Sequence, residues 1–180
     1  MKGIVFTEFL EMVEDKFGFD VADKIVTEAD LPSGGVYTGV GTYDHGEMVS
    51  LVVNLGKETN TEIPELLNVF GNHLFGQFTK GYKQFFNDVP DALSFLERIE
   101  NYIHVEVLKL YPGAELPRFD IERVSPNKLV MHYTSDRKMG DLAEGLIQGA
   151  VSYFNEDITI VREDITDDGG DVIFTLSRNA

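Results

Sequence analysis

The chain has 180 residues, 43% of them hydrophobic, with thirteen Phe, seven Tyr, no Trp and no Cys. So apolar a chain can bury a packed core and is not disordered, and without a thiol it has no disulfides, iron–sulfur clusters, cysteine nucleophiles or thiolate zinc sites. Fifteen Lys+Arg against 31 Asp+Glu leave a net charge of −16, which repels nucleic acid and anionic membranes. Such a surface suits a partner with a basic docking patch, and it serves solubility alone equally well. No run approaches the roughly 18 apolar residues a membrane span needs. The opening Met1-Lys2-Gly3-Ile4-Val5-Phe6 soon meets Glu8, Glu11, Glu14 and Asp15, unlike a secretory signal, and the expected location is cytoplasmic.

In chain order, residues 3–17 place Val5, Phe6, Phe9, Leu10, Met12, Val13 and Phe17 in two adjacent stripes at helical spacing. That predicts a helix buried over much of its circumference. A shorter helix is predicted over 20–28, closed by Leu31-Pro32-Ser33-Gly34-Gly35, and a third over 45–56. Thr61 can cap a fourth, with Glu65 near its first turn and a stripe of Ile63, Leu66, Leu67, Phe70, Leu74 and Phe78. After Val89-Pro90, one long helix is predicted from 91 to 111, with Leu93, Leu96, Ile99, Ile103, Val107 and Leu110 on one face and Pro112-Gly113 as its stop. The character then changes. Residues 119–124 and 128–135 read as strands joined by Ser125-Pro126-Asn127, and 141–154 as a helix. A hairpin of 158–165 and 172–177 closes around Asp167-Asp168-Gly169-Gly170. The expected fold is one α+β domain over 1–180: a helical N-terminal half and a C-terminal half with an antiparallel sheet and an interposed helix.

Three residues at the end of the second strand carry chemistry: Tyr133, Ser135 and Arg137. Two-residue spacing in a strand puts a phenol, a hydroxyl and a guanidinium on one face. Such a row of donors fits a ligand bringing two carboxylates into an apolar space, because a guanidinium grips a carboxylate bidentately and hydroxyls satisfy the remaining lone pairs. Haem, with paired propionates, is such a ligand, and it needs an axial base. His104 lies deep in the predicted long helix beside its apolar stripe. His132 faces away from Tyr133, and His73 and His45 read as surface residues. Taken alone, a histidine beside an apolar stripe is more often structural, and Tyr-x-Ser-x-Arg is only three positions.

Together with the length, these features resemble the haem-nitric oxide/oxygen binding (H-NOX) family, related to the haem sensor domain of soluble guanylate cyclase. The resemblance covers nearly the whole chain: Met1-Lys2-Gly3 before an apolar helix, His104-Val105-Glu106-Val107-Leu108-Lys109-Leu110-Tyr111, Pro117, the Tyr133/Ser135/Arg137 set, Lys138-Met139, and Gly145-Leu146-Ile147-Gln148-Gly149. It implies haem b between the two halves, His104 as the proximal iron ligand, and Tyr133, Ser135 and Arg137 on the propionates. Pro117 is similar to a proline that packs on the haem and distorts it. Val5, Phe9, Leu74, Phe78, Leu142 and Leu146 resemble pocket-lining positions.

Oxygen-binding members carry a tyrosine, with polar support, over the iron. Here Leu142, Leu74 and Phe9 stand at the matching positions, so the resemblance implies NO and CO as ligands and exclusion of O2. It further implies that NO weakens or breaks the Fe–His104 bond and so biases a two-state protein. The expected role is a sensor, not an enzyme. As the sequence ends at Ala180 without an effector, output is expected in trans, through a histidine kinase or a cyclic-di-GMP enzyme. Members with a zinc held by Cys and His have no counterpart here, since Cys is absent. An O2 sensor on the same fold and a haem-free acidic interaction module are the alternatives. An acid/base hydrolase is weakly supported, because no paired-carboxylate arrangement is legible.

Overall fold

The computed structural model describes residues 1–179. The N-terminal half is helical: α1 (Gly3–Phe17), α2 (Phe19–Glu28), α3 (His45–Thr59) and α4 (Ile63–Gly81). The predicted stripes are the faces that bury, with Phe6, Phe9, Met12 and Val13 of α1 meeting Leu51 and Leu55 of α3 and Leu66 and Phe70 of α4 in one core. Local signals set the boundaries. Asp44 Oδ1 accepts the Gly46 amide at 2.7 Å to start α3, Asn60 ends it in the left-handed region at φ 52°, and Pro64 stands in the first turn of α4. Between α2 and α3, Glu47 is buried but not stranded. It accepts the Ser33 hydroxyl and, at 2.8 Å, that of Tyr37.

The single helix predicted from 91 to 111 is not continuous. A 3-10 turn at Lys83–Phe86 is followed by α5 (Ala92–Glu97), a π-helical turn at Ile99–Ile103, and α6 (His104–Leu110). The Arg98 carbonyl takes both the Tyr102 and Ile103 amides, at 3.0 and 3.1 Å, and the His104 amide bonds Ile99 O. An apolar step of three or four residues is shared by α and π turns, so periodicity alone does not reveal the extra residue. Its consequence is local: Ile99, Ile103, His104 and Val107 all face the same cavity.

The sheet has strands β1 (Arg118–Ser125), β2 (Lys128–Thr134), β3 (Ile158–Asp164) and β4 (Asp171–Arg178), all antiparallel in the order β1-β2-β4-β3. Leu129, Met131 and Tyr133 point inward opposite Leu176, Phe174 and Val172, as period-two alternation requires. With Leu93, Leu96 and Ile147 they form a second core. Helix α7 (Gly140–Tyr153) lies between the sheet and α4. The crossing with α4 is closed by glycines: a Cβ on Gly145 would sit 2.0 Å from Asn68 O, and one on Gly71 would sit 2.3 Å from Leu142 O.

The start of α5 ties the C-terminal strand to the helices. Asp91 Oδ1 accepts the Ser94 amide at 2.7 Å, Glu156 Oε2 accepts the Ala92 amide at 2.6 Å, and Arg178 reaches both carboxylates. Burial raises the Asp91 pKa, but its bonds to Ser94 and Arg178 outweigh that and leave it below the ordinary carboxylate value. Asp91→Ala is therefore expected to cost about 1–2 kcal/mol. A carboxylate with a depressed folded pKa contributes stability that is lost only as pH falls through that pKa. Thermal melts of the two proteins should differ at pH 7 and at pH 5, and converge only in stronger acid.

Candidate functional site

Where the two cores meet lies a cavity of about 280 Å³, walled almost wholly by apolar side chains. From the first core come Val5, Leu74, Phe78, Leu142 and Leu146; from the second come Ile99, Ile103 and Phe119; Pro117 of the loop after α6 also lines it. Among the polar side chains on this space are His104, Tyr133, Ser135 and Arg137, with Lys2, Tyr82, Tyr111 and Glu115 also on its wall.

His104 opens α6 directly after the π turn, its side chain 15% exposed. Burial pushes its pKa down and outweighs Glu100, which pulls the other way, so the imidazole is neutral near pH 7. Nδ1 lies 3.1 Å from Glu100 Oε2. A carboxylate only accepts, so this contact assigns the proton to Nδ1 and leaves the Nε2 lone pair free to bind a metal. The same Glu100 oxygen accepts the Phe119 amide at 3.1 Å.

At the other polar group, Tyr133 is 2% exposed, its hydroxyl accepts the Met139 amide at 3.3 Å, and burial raises its pKa. The expected strand reaches only Thr134, so Ser135 and Arg137 stand on the turn after β2 rather than on its face. That turn is held by Ser135 N on Gly170 O at 2.9 Å and by Arg137 N on Ser135 Oγ at 3.2 Å, and it passes through Lys138 at φ 55°. It still brings the three side chains to one cavity wall. Arg137 already holds a carboxylate: Nη2 donates to Glu115 Oε2 at 2.6 Å and Nη1 to Glu115 O at 2.7 Å. The Met1 ammonium stands at the same mouth on Tyr43 O at 2.6 Å, its pKa lowered by burial and then by Arg137.

Of the residues selected from sequence, Phe9 alone does not line the cavity. It is fully buried in the first core, its ring edge-on to Phe70 at 5.1 Å. His132 is on the outer face, 2.6 Å from Asp171, and His45 lines a separate polar cleft. Sequence reasoning missed Glu100 and Glu115; it set aside Tyr82, a tyrosine able to reach the pocket, and Tyr82 lines the cavity. Glu100 was findable, because four residues before a helical histidine is touching distance. Glu115 was not, since loop geometry brings it to Arg137, and the Tyr82 hydroxyl lies 2.6 Å from that of Tyr111.

A planar apolar molecule with acidic tails meets what it needs here: an apolar slot, one neutral imidazole with a free lone pair, and hydroxyl and guanidinium donors at one end. The donor set fits a haem. The model of the haem-NO-binding family matches residues 2–162, and the chain belongs to that family. Its fold agrees with solved H-NOX structures. The Fe(II) unliganded protein from K. algicida is 43% identical with a TM-score of 0.95, covering 100% of this chain and 97% of that one. The IWP-051-bound H-NOX from Shewanella woodyi, in the Fe(II)CO state, is 42% identical with a TM-score of 0.85, covering 99% and 95%. An H-NOX protein from S. oneidensis in the Fe(II)NO state is 26% identical with a TM-score of 0.92, covering 100% of both chains.

Proposed function

We propose that this chain is a cytoplasmic, non-enzymatic sensor of nitric oxide that binds haem b through His104 and signals to a separate partner. The observation that carries the reading is a neutral imidazole with a free lone pair on an apolar cavity whose far end holds Tyr133, Ser135 and Arg137. A haem held here by His104 would supply a ferrous iron able to bind NO or CO, and on this reading NO binding would act on the iron–His104 bond.

The chain's own residues do the rest. Arg137 exchanges the Glu115 carboxylate for a propionate, and Tyr133 and Ser135 donate their hydroxyls beside it. Pro117 and Leu146 pack on the ring and exclude water. His104 would tie α6 to the haem, so loosening that tie would free α6 and let the two cores shift about the cavity they share. Signal leaves through a partner with a basic patch facing this acidic surface; a histidine kinase or a cyclic-di-GMP enzyme is the kind expected from the family.

Selectivity rests on the wall that faces the gas. O2 depends on a hydrogen-bond donor there more than NO or CO does, and Val5, Leu74, Phe78 and Leu142 offer none. Tyr82 also lines the cavity, but its hydroxyl is engaged by Tyr111, and burial followed by that bond raises its pKa. Absorption spectra of the reduced protein under argon, CO, NO and air test this directly. NO and CO should each give a new Soret band, and air should give no stable oxygen complex; a stable one would sink the NO assignment. Leu142→Tyr should strengthen O2 binding by about fivefold or more, the worth of one hydrogen bond near 1 kcal/mol, read as an oxygen complex appearing under O2 pressures at which the wild type shows none.

A further inference from the structure

One carboxylate stands behind the imidazole, and it does two things at once. Glu100 Oε2 lies 3.1 Å from His104 Nδ1 and 3.1 Å from the Phe119 amide of β1. With the imidazole neutral, this contact is a hydrogen bond from Nδ1–H to a carboxylate rather than an ion pair. The geometry depends on the π turn. Glu100 sits inside it and His104 directly follows, with Ile103 N on Arg98 O at 3.1 Å and His104 N on Ile99 O. Phe119 completes the support, its ring 6.0 Å from His104 and 5.4 Å from Tyr133. Helix, imidazole and sheet therefore share a single oxygen atom.

Resting on the haem reading above, we propose that Glu100 is a positioning residue that sets the strength of the iron–His104 bond. Two effects follow from its placement. The bond to Nδ1 fixes the ring plane and the tautomer, so Nε2 is aimed before any ligand arrives. The negative charge polarises the Nδ1–H bond and increases the electron donation available from Nε2. The bond that NO must weaken is thus made stronger by this chain's own side chain, and the threshold of the switch is set from behind the histidine. The Phe119 contact gives the carboxylate a fixed footing on β1, so the imidazole cannot swing without breaking a tie to the sheet.

Glu100→Gln separates charge from shape, since an amide oxygen can still accept from Phe119 N and from Nδ1. In the ferrous protein the iron–imidazole stretching band, read by resonance Raman, should move to lower frequency and the reduction potential should rise. Loss of haem to an excess of an apoglobin scavenger should quicken by about tenfold, the lower end of what removing an outer partner of a metal ligand costs. Melting temperature should stay close to the wild type. Glu100→Leu should show the same spectroscopic shifts, enlarged, together with a lower melting temperature from the orphaned Phe119 amide.

A Gln variant whose stretching band and potential match the wild type would show that Glu100 merely braces the fold. If the wild type itself takes up haem but shows no iron–imidazole band, the His104 assignment fails first, and this inference falls with it. Should Glu100→Gln not fold, Glu100→Asp keeps the charge on a shorter arm. It must then give a stretching band displaced from the wild type, and an unchanged band would overturn the proposal.

Discussion

Replacing His104 with Gly is expected to lower haem affinity by on the order of 100-fold or more, since losing even an outer-shell partner of a metal ligand costs about 10- to 100-fold. The fold should survive. His104 is the first residue of α6, where glycine costs about 1 kcal/mol, and its ring is a cavity wall rather than a core filling. Two consequences distinguish ligation from packing. Free imidazole added to His104→Gly should restore both the ferrous spectrum and haem retention, because the small molecule supplies the missing lone pair inside the vacated space. The vacated Glu100 should then be the acceptor for its second nitrogen. If haem affinity and the unligated ferrous spectrum are the same as in the wild type, His104 is not the ligand. None of the other three histidines is among the cavity's lining residues: His132 is spent on Asp171, His45 lines the polar cleft, and His73 sits by Glu8 and Gln77 on the α1/α4 surface.

The second large effect is expected at the α4/α7 crossing. Gly145→Leu should destabilise the protein by about 1–3 kcal/mol, the usual cost of forcing extra atoms into a packed site. Two effects compete. Leucine in place of glycine raises helix propensity by up to about 1 kcal/mol. Against that, the first added carbon would lie 2.0 Å from Asn68 O and 2.8 Å from Asn68 C. The obstacle is backbone, which cannot rotate out of the way, so the helices must separate and the clash wins. Gly149 packs on Phe75 in the same seam, with a built Cβ 2.7 Å from the Phe75 Cβ. Leu74 and Phe78 of α4 and Leu142 and Leu146 of α7 line the cavity, so separating these helices also widens the slot. A melting temperature lower by about 2–4 °C per kcal/mol should therefore come with faster haem loss. An unchanged melt would mean the crossing is looser than its glycines require.

How much of this was legible in the sequence depends on the distance over which each feature is determined. Helices α1 and α4 followed from their stripes, since a side chain's face in a helix is fixed by its own neighbours three and four residues away. In β2 the same locality let Tyr133 and His132 be placed on opposite faces, and Leu129, Met131 and Tyr133 are the buried ones. The break at Arg98 was hidden because α and π turns share the same apolar step. Ser135 and Arg137 share a cavity wall with Tyr133, but through a turn held by Gly170 rather than along a strand face, a long-range contact invisible to strand periodicity. Phe9 shows the opposite failure. A position on a buried face can point into a cavity or into solid core, and only the neighbouring Phe70 decides it. Glu115 reaches Arg137 across 22 residues through an irregular loop, where no local rule applies.

The central claim is that one haem enters the cavity between the two cores and takes His104 as its base. Titrating haem into the purified chain, reducing it under argon and following the Soret band tests that claim most directly. One equivalent should saturate the signal and give a ferrous spectrum that carries an iron–imidazole band and responds to NO. Folded protein that leaves the added haem free in solution would contradict the account.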